Sequence, residues 1–265
     1  MLSVVTMVVA EAELPLLVVL RYSMYNVTVK KNRPIEYLVI HYTAGTSSKG
    51  GTAKRIANYF GKQDTKASAD FIVDQDEVVQ FNPDIRNQYC WAVGDKLYKT
   101  FSTSLGGTLY KKACNQNCIS IEMCSDKKNT KSLKVTDTDW SISDKVIERT
   151  ALLAKKLMEE YDIPLDHVIM HHCISGKQCP QPWVRNEDCL SNWYEFLQII
   201  GPEKRKRNPL YSGMTTANLN CREAPIVGDV VTKYEKDTQI NIYAERRGWG
   251  RTTDGWVSLN YVERI

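Results

Sequence analysis

The sequence of 265 residues has little charge of one sign, no clean long apolar run, too few cysteines for a stapled scaffold and no internal repeat. Each absence excludes something. The net charge is only +4 at neutral pH, a slight preference for anionic surfaces but no nucleic-acid footprint. Eight cysteines in a chain of this length are not dense enough to require a disulfide framework, so buried free thiols made in a reducing cytoplasm are the expectation. The most apolar stretch, "MLSVVTMVVAEAELPLLVVL", is interrupted by Glu11, Glu13 and Pro15 and has no basic residue ahead of Arg21. A spanning helix needs about 20 uninterrupted apolar residues, and an export signal needs a basic start. Neither is present, so residues 1–23 are expected to be a dispensable extension, with a natural-looking start at Met24 in "MYNVTVKKNRP".

What remains is ordinary globular material, 43% hydrophobic and 25% charged, enough for one good core plus a smaller module. "IEYLVIHYT" (35–43) is a short run rich in Val and Ile, as in a buried strand. "GTAKRIANYFGK" predicts a helix with Ile56, Ala57, Tyr59 and Phe60 on one face and Gly61 at its end. "ASADFIVDQDEVVQF" predicts two strands turning at Asp74 to Asp76. "CISIEMC" (118–124) alternates strictly, with Ser120, Glu122 and Cys124 opposite Ile119, Ile121 and Met123. An amphipathic helix is expected from Ser143 to Tyr161, then the strand "HVIM", a loop, and a helix from about Asn186. Strands alternating with helices imply an α/β class with a central mixed sheet over residues 24–200.

The texture changes after residue 200. "GPEKRKRNPLYSGM" carries Gly, Pro and four consecutive basic residues, which suits an exposed linker over 201–212 better than a nucleic-acid or nuclear-import segment. Short alternating strands between Gly, Asp and Pro turns then predict a small all-β barrel over 213–265.

One stretch carries chemistry: "HVIMHHCISGKQCPQPW" (167–183). His171 ends one predicted strand and His41 ends another, so neighbouring strands can bring both imidazoles to one rim. Cys179 follows eight residues after His171, with Lys177 between them. Two imidazoles and a thiolate leave a fourth position open, as in catalytic zinc sites. Satisfied strand-end histidines with a buried thiol, or a cysteine–histidine hydrolase, are the alternatives that residue types alone leave open.

A match of motifs narrows them. "LVIHYTAGT", "TAKRIANYF", "ASADFIVD", "CISIEMC" and "HHCISGKQCP" occur in the order and rough spacing of the zinc-dependent N-acetylmuramoyl-L-alanine amidases, the endolysins and autolysins related to peptidoglycan recognition proteins. The resemblance covers about residues 25–200. It implies Zn²⁺ held by His41, His171 and Cys179, with Glu122 as the catalytic carboxylate and Lys177 as a cation at the site. It also implies a bacterial peptidoglycan substrate, synthesis in a host cytoplasm and action on the wall, without nucleic-acid binding or membrane insertion. Two departures stand out: Asp70 and Ala69 occupy positions where many members carry His and some carry Tyr, and the segment from about Cys90 to Cys118 is longer than a minimal core needs, as a groove lining would be. The stretch with "LNCREAP" and "GWVSLNYV" resembles bacterial SH3 domains, with Tyr243, Trp249 and Trp256 as candidate wall-binding aromatics. A non-catalytic peptidoglycan binder, or an SH3-type module for proline-rich peptides, are the rival classes. His167 and His172 are expected to be structural.

Overall fold

The structure is a computed structural model that describes residues 18–20, 25–201 and 209–265. The chain divides into two compact units at Gly201/Pro202. In the first unit the elements are β1 (Val18–Leu20), β2 (Val27–Val29), β3 (Tyr37–Tyr42), α1 (Thr52–Phe60), β4 (Phe71–Val73), β5 (Val78–Gln80), β6 (Gln88–Cys90), β7 (Cys118–Met123), β8 (Asp126–Lys127), β9 (Trp140–Ser141), α2 (Asp144–Glu160), β10 (Val168–Met170), α3 (His171–Ser175), α4 (Gln181–Val184) and α5 (Leu190–Ile200).

Six of these strands form the central sheet, in the order β1-β5-β4-β7-β3-β10. Only β4 and β5 are antiparallel neighbours; the other pairs run parallel. The sheet is therefore mixed, as the alternating sequence implies. β1 is an edge strand that the sequence reading does not anticipate; the rest of residues 1–23 lies outside the described residues.

Period-two alternation partitions the core. Phe71 and Val73 of β4 join the apolar cluster of α2 and α5, whereas Ile72 between them packs with Ala53, Ala57 and Phe60 of α1. On α1, Tyr59 is exposed rather than part of the inward face, which runs through Thr52, Ala53, Ala57 and Phe60. On α2, Val146, Ile147, Thr150, Leu153, Ala154 and Leu157 are buried at helical spacing. Asp74 links turn and helix: its Oδ1 accepts from the N–H groups of Asp76 and Glu77, and its Oδ2 from that of Ala53 at 2.9 Å. A carboxylate at the start of α1 satisfies an orphan amide and suits the helix dipole.

In the second unit, β11 (Tyr211–Thr215), β12 (Leu219–Arg222), β13 (Val230–Tyr234), β14 (Gln239–Ile242), β15 (Ala244–Arg246), β16 (Trp249–Arg251), β17 (Trp256–Ser258) and β18 (Val262–Arg264) form a three-stranded and a five-stranded sheet. They enclose a small core of Leu219, Cys221, Ile240, Ile242 and Val257. Tyr211 and Ser212 belong to the first strand here and not to the linker, because Leu210 and Tyr211 already pair with Ile242. Residues 202–208 of the expected linker lie outside the described residues.

Candidate metal centre

Parallel pairing of β3 with β7 sets His41 directly beside Glu122, and pairing of β4 with β7 sets Ile72 on the other side of Glu122. Residues opposite one another in a ladder project from the same sheet face, so these pairings deliver ligand-type and carboxylate side chains together. His41 Nδ1 lies 3.9 Å from Glu122 Oε1.

The other side chains come from the end of β10. His171 is the first residue of α3, a short helix and not the open loop that the sequence suggests. The helix ends at Gly176, whose φ of 76° is left-handed backbone that glycine adopts without strain. The chain then doubles back: His172 N–H donates to the Cys179 carbonyl at 3.0 Å, and Cys179 N–H to the Lys177 carbonyl at 2.7 Å. This turn returns Cys179 to His41, with Sγ 3.8 Å from His41 Nδ1. One nitrogen of each of His41 and His171, and the Cys179 sulfur, lie within 4.8 Å of one another, and all three residues are buried. Among the described residues this is the one group of three metal-ligating side chains so placed, and Cys114, Cys118 and Cys124 form no second one.

The donors are chemically ready. His41 Nε2 and His171 Nδ1 are buried without a hydrogen-bond partner. Burial holds both imidazoles neutral: it takes His41 well below its ordinary range and His171 down to about 3, with the neighbouring imidazole and the Lys177 charge adding to the shift for His41. Burial pushes the Cys179 thiol up to about 12, helped by Glu122 and opposed by Lys177. Burial likewise raises Glu122 to about 8, with the Lys177 ammonium opposing. Lys177 itself is exposed and acts on the cluster through its charge.

Asp70 is elsewhere. It is fully buried, its Oδ1 accepting from Asn82 Nδ2 at 2.7 Å and its Oδ2 from the Ser120 N–H at 2.8 Å; burial raises its pKa, opposed by the Arg33 charge and these hydrogen bonds. Both oxygens are committed to structure. His172 bonds the Lys177 carbonyl through Nδ1 at 2.9 Å, and His167 stacks on Tyr37, so both have structural partners. The sequence reading misses Tyr42 and Trp140, which pack edge to face and cover Cys179. The Lys127 ammonium sits over the Trp140 ring and pairs with Asp137 and Asp139, and Gln181 Nε2 donates to the carbonyls of Val135 and Asp137. The only signal of this cover in the sequence is a tryptophan in the acidic run "TDTDW".

On the second unit, Trp256 is buried beneath the guanidinium groups of Arg246 and Arg251, at 4.7 and 5.8 Å from the ring centre, while Trp249 is half-buried. Tyr243 lines a polar depression with Tyr234, Asn241, Thr253 and Asp254.

Residues 31–182 match the family described as Amidase_2, N-acetylmuramoyl-L-alanine amidase. Among curated relatives, the N-acetylmuramoyl-L-alanine amidase CwlH of Bacillus subtilis (strain 168) is 30% identical over 164 residues, which is 62% of this chain and 52% of that protein. A probable N-acetylmuramoyl-L-alanine amidase of Bacillus licheniformis is 27% identical over 161 residues, 59% of this chain and 39% of the relative. The chain thus spans about half or less of the length of these relatives. Among solved structures, the catalytic domain of XlyA is 28% identical, with a TM-score of 0.46 over 69% of this chain and 99% of that one. The match covers β3, β7, α3 and the turn that returns Cys179 to His41, and the chain belongs to the N-acetylmuramoyl-L-alanine amidase family.

Proposed function

We propose that this chain is an endolysin that hydrolyses the amide bond between N-acetylmuramic acid and the L-alanine of the peptidoglycan stem peptide, with Zn²⁺ as its cofactor. The observation that carries the reading is the convergence of two neutral imidazoles and a thiol beside a largely desolvated carboxylate. Two nitrogen donors and one sulfur donor suit zinc, and three protein ligands leave a position for water or substrate. The buried, unpartnered His171 Nδ1 is an orphaned atom such an ion would satisfy, and His41 Nδ1 already faces the Cys179 sulfur at 3.8 Å. When bound, zinc lowers the pKa of water and polarises a carbonyl.

The chain's own residues supply the rest. Glu122, with a proton affinity raised by burial, takes a proton from the attacking water and passes it to the departing alanine nitrogen. Lys177 offers an ammonium to the oxyanion that develops on the carbonyl. Tyr42 and Trp140 exclude water from the Cys179 side of the site. The second unit is read as a bacterial SH3-like wall anchor that raises the effective concentration of the enzyme on insoluble substrate. Tyr243 and Trp249 are its accessible aromatics, and buried Trp256 supports them.

Purified walls supply the test. Zinc-loaded protein should release stem peptides with free L-alanine amino termini, chelation should stop release and added zinc restore it. Retention on walls without any release would instead identify a non-catalytic binder.

A further inference from the structure

Between β6 and β7 runs residues 91–117 without a regular element, well beyond the roughly 12–15 residues at which structureless connections become uncommon. It is nevertheless firmly held. The N–H groups of Tyr98, Gly107 and Leu109 donate to the carbonyls of Ser175, His172 and Cys173 at 2.9, 3.0 and 2.8 Å, so the segment is bonded to α3 along the helix that carries His171. Ser102 Oγ anchors it to the Val184 carbonyl.

On this fixed base stands an aromatic residue that packing alone does not explain. Phe101 is 47% exposed, with Leu97 next to it over Gly107 at 39% and Tyr98, three residues earlier on the same segment, at 38%. Its ring is wedged edge-on between glycines: a Cβ at Gly176 would fall 2.3 and 2.4 Å from Phe101 Cδ1 and Cε1 but 3.6 Å from Cγ, and one at Gly107 would fall 2.9 Å from Cζ. One ring edge is therefore set against backbone next to Lys177, and the residue keeps nearly half its surface open to solvent. A rigid, exposed ring without a polar atom, contiguous with a catalytic centre, suits a ligand that presents C–H groups in a flat array. In a peptidoglycan strand the pyranose faces fit that description over an area larger than an alanine methyl.

We infer that Phe101, with Leu97 and Tyr98, forms a saccharide-binding subsite that stacks a sugar ring of the glycan strand beyond the muramic acid being cleaved. This rests on the amidase reading for the position of the cut bond, but saccharide binding is measured without cleavage. A locked platform also fits the thermodynamics, because little side-chain entropy remains to be lost on binding.

The experiment compares the full-length zinc protein with Phe101→Ala and Phe101→Tyr on two soluble substrates: a muramyl peptide with one sugar, and a tetrasaccharide of alternating N-acetylglucosamine and N-acetylmuramic acid bearing the same peptide. Phe101→Ala should raise KM for the tetrasaccharide by about 10-fold, the scale of one lost ring contact, with kcat unchanged. KM for the single-sugar substrate should stay within about twofold, and Phe101→Tyr should restore tetrasaccharide binding. Calorimetry with the peptide-free tetrasaccharide should show binding by the parent chain and its loss in Phe101→Ala, whatever the state of the catalytic machinery. Equal losses on both substrates, or no saccharide binding by the parent chain, would overturn the subsite. Saccharide binding without cleavage of either substrate would support the subsite and overturn the amidase reading.

Discussion

Replacing Glu122 by glutamine should make the metal-free protein more stable and the zinc protein nearly inactive. The side chain is only 15% exposed, and its Oε2 has no hydrogen-bond partner. Burial lifts its pKa from 4.5 to about 8. Below the unfolded value both states carry the proton, and nothing is lost. Between the two values the unfolded chain releases a proton that the folded chain keeps, so stability falls as pH rises and the full penalty is reached above the folded value. At pH 7 the penalty is about 3 kcal/mol as an upper bound. Glutamine has the same shape and no charge to desolvate. For a unit of this size, recovering that much raises Tm by roughly 5–10 °C. The assay is a series of thermal melts on chelated parent and Glu122→Gln protein from pH 4 to pH 9, beside turnover on zinc-loaded samples. The gap in Tm should vanish at the acid end and open toward neutrality, while turnover drops by roughly 100-fold or more, the scale of general acid–base catalysis. A variant that is less stable at every pH, or that turns over within a few-fold of the parent, would refute the reasoning.

His41→Ala and Cys179→Ala should each lose zinc and activity, read by metal analysis of the purified protein; full zinc content in either would remove that residue from the ligand set. Lys177→Met should keep the metal and lose kcat by about 100-fold or more if its ammonium meets the oxyanion, with KM little changed. Asp70→Ala should act on stability alone: losing its bonds to Asn82 and to the Ser120 N–H costs about 2–4 kcal/mol in a urea melt, while kcat of the folded fraction is unchanged. Removing residues 202–265 should weaken sedimentation with whole cells and spare cleavage of small soluble muropeptides.

The strands and helices that hold the site are legible because the period of burial matches the period of each element. β3 and β7 read as strands from their own residues, and α2 from its apolar spacing. The residue-for-residue pairing of His41 with Glu122 is not legible in the same way, because strand order and register are properties of the whole sheet. α3 is hidden for a different reason: five residues between a strand and a glycine turn give too little periodicity to distinguish a helical turn from a loop. Helical spacing alone puts Tyr59 inward, but the apolar stripe of α1 is narrow and ends at Ala57 and Phe60. Trp140 and Lys127 escaped because a tryptophan among acidic residues looks like surface until its partners are seen.

The three proposed metal donors do not share one foundation. His41 is held within the sheet, between strands that pair on either side of β3, whereas His171 and Cys179 hang on a five-residue helix and the turn after it. A short helix and turn outside the sheet open at lower free energy than central strands, even where a neighbouring segment is bonded to them. Heat or mild denaturant will therefore part the donors before the sheet melts, so that inactivation and denaturation become separate events. A warmed sample should fall silent with its far-ultraviolet circular dichroism intact, and should recover on cooling only while zinc remains in the buffer. For handling such a protein, the composition of the buffer then governs shelf life as much as the strength of the fold.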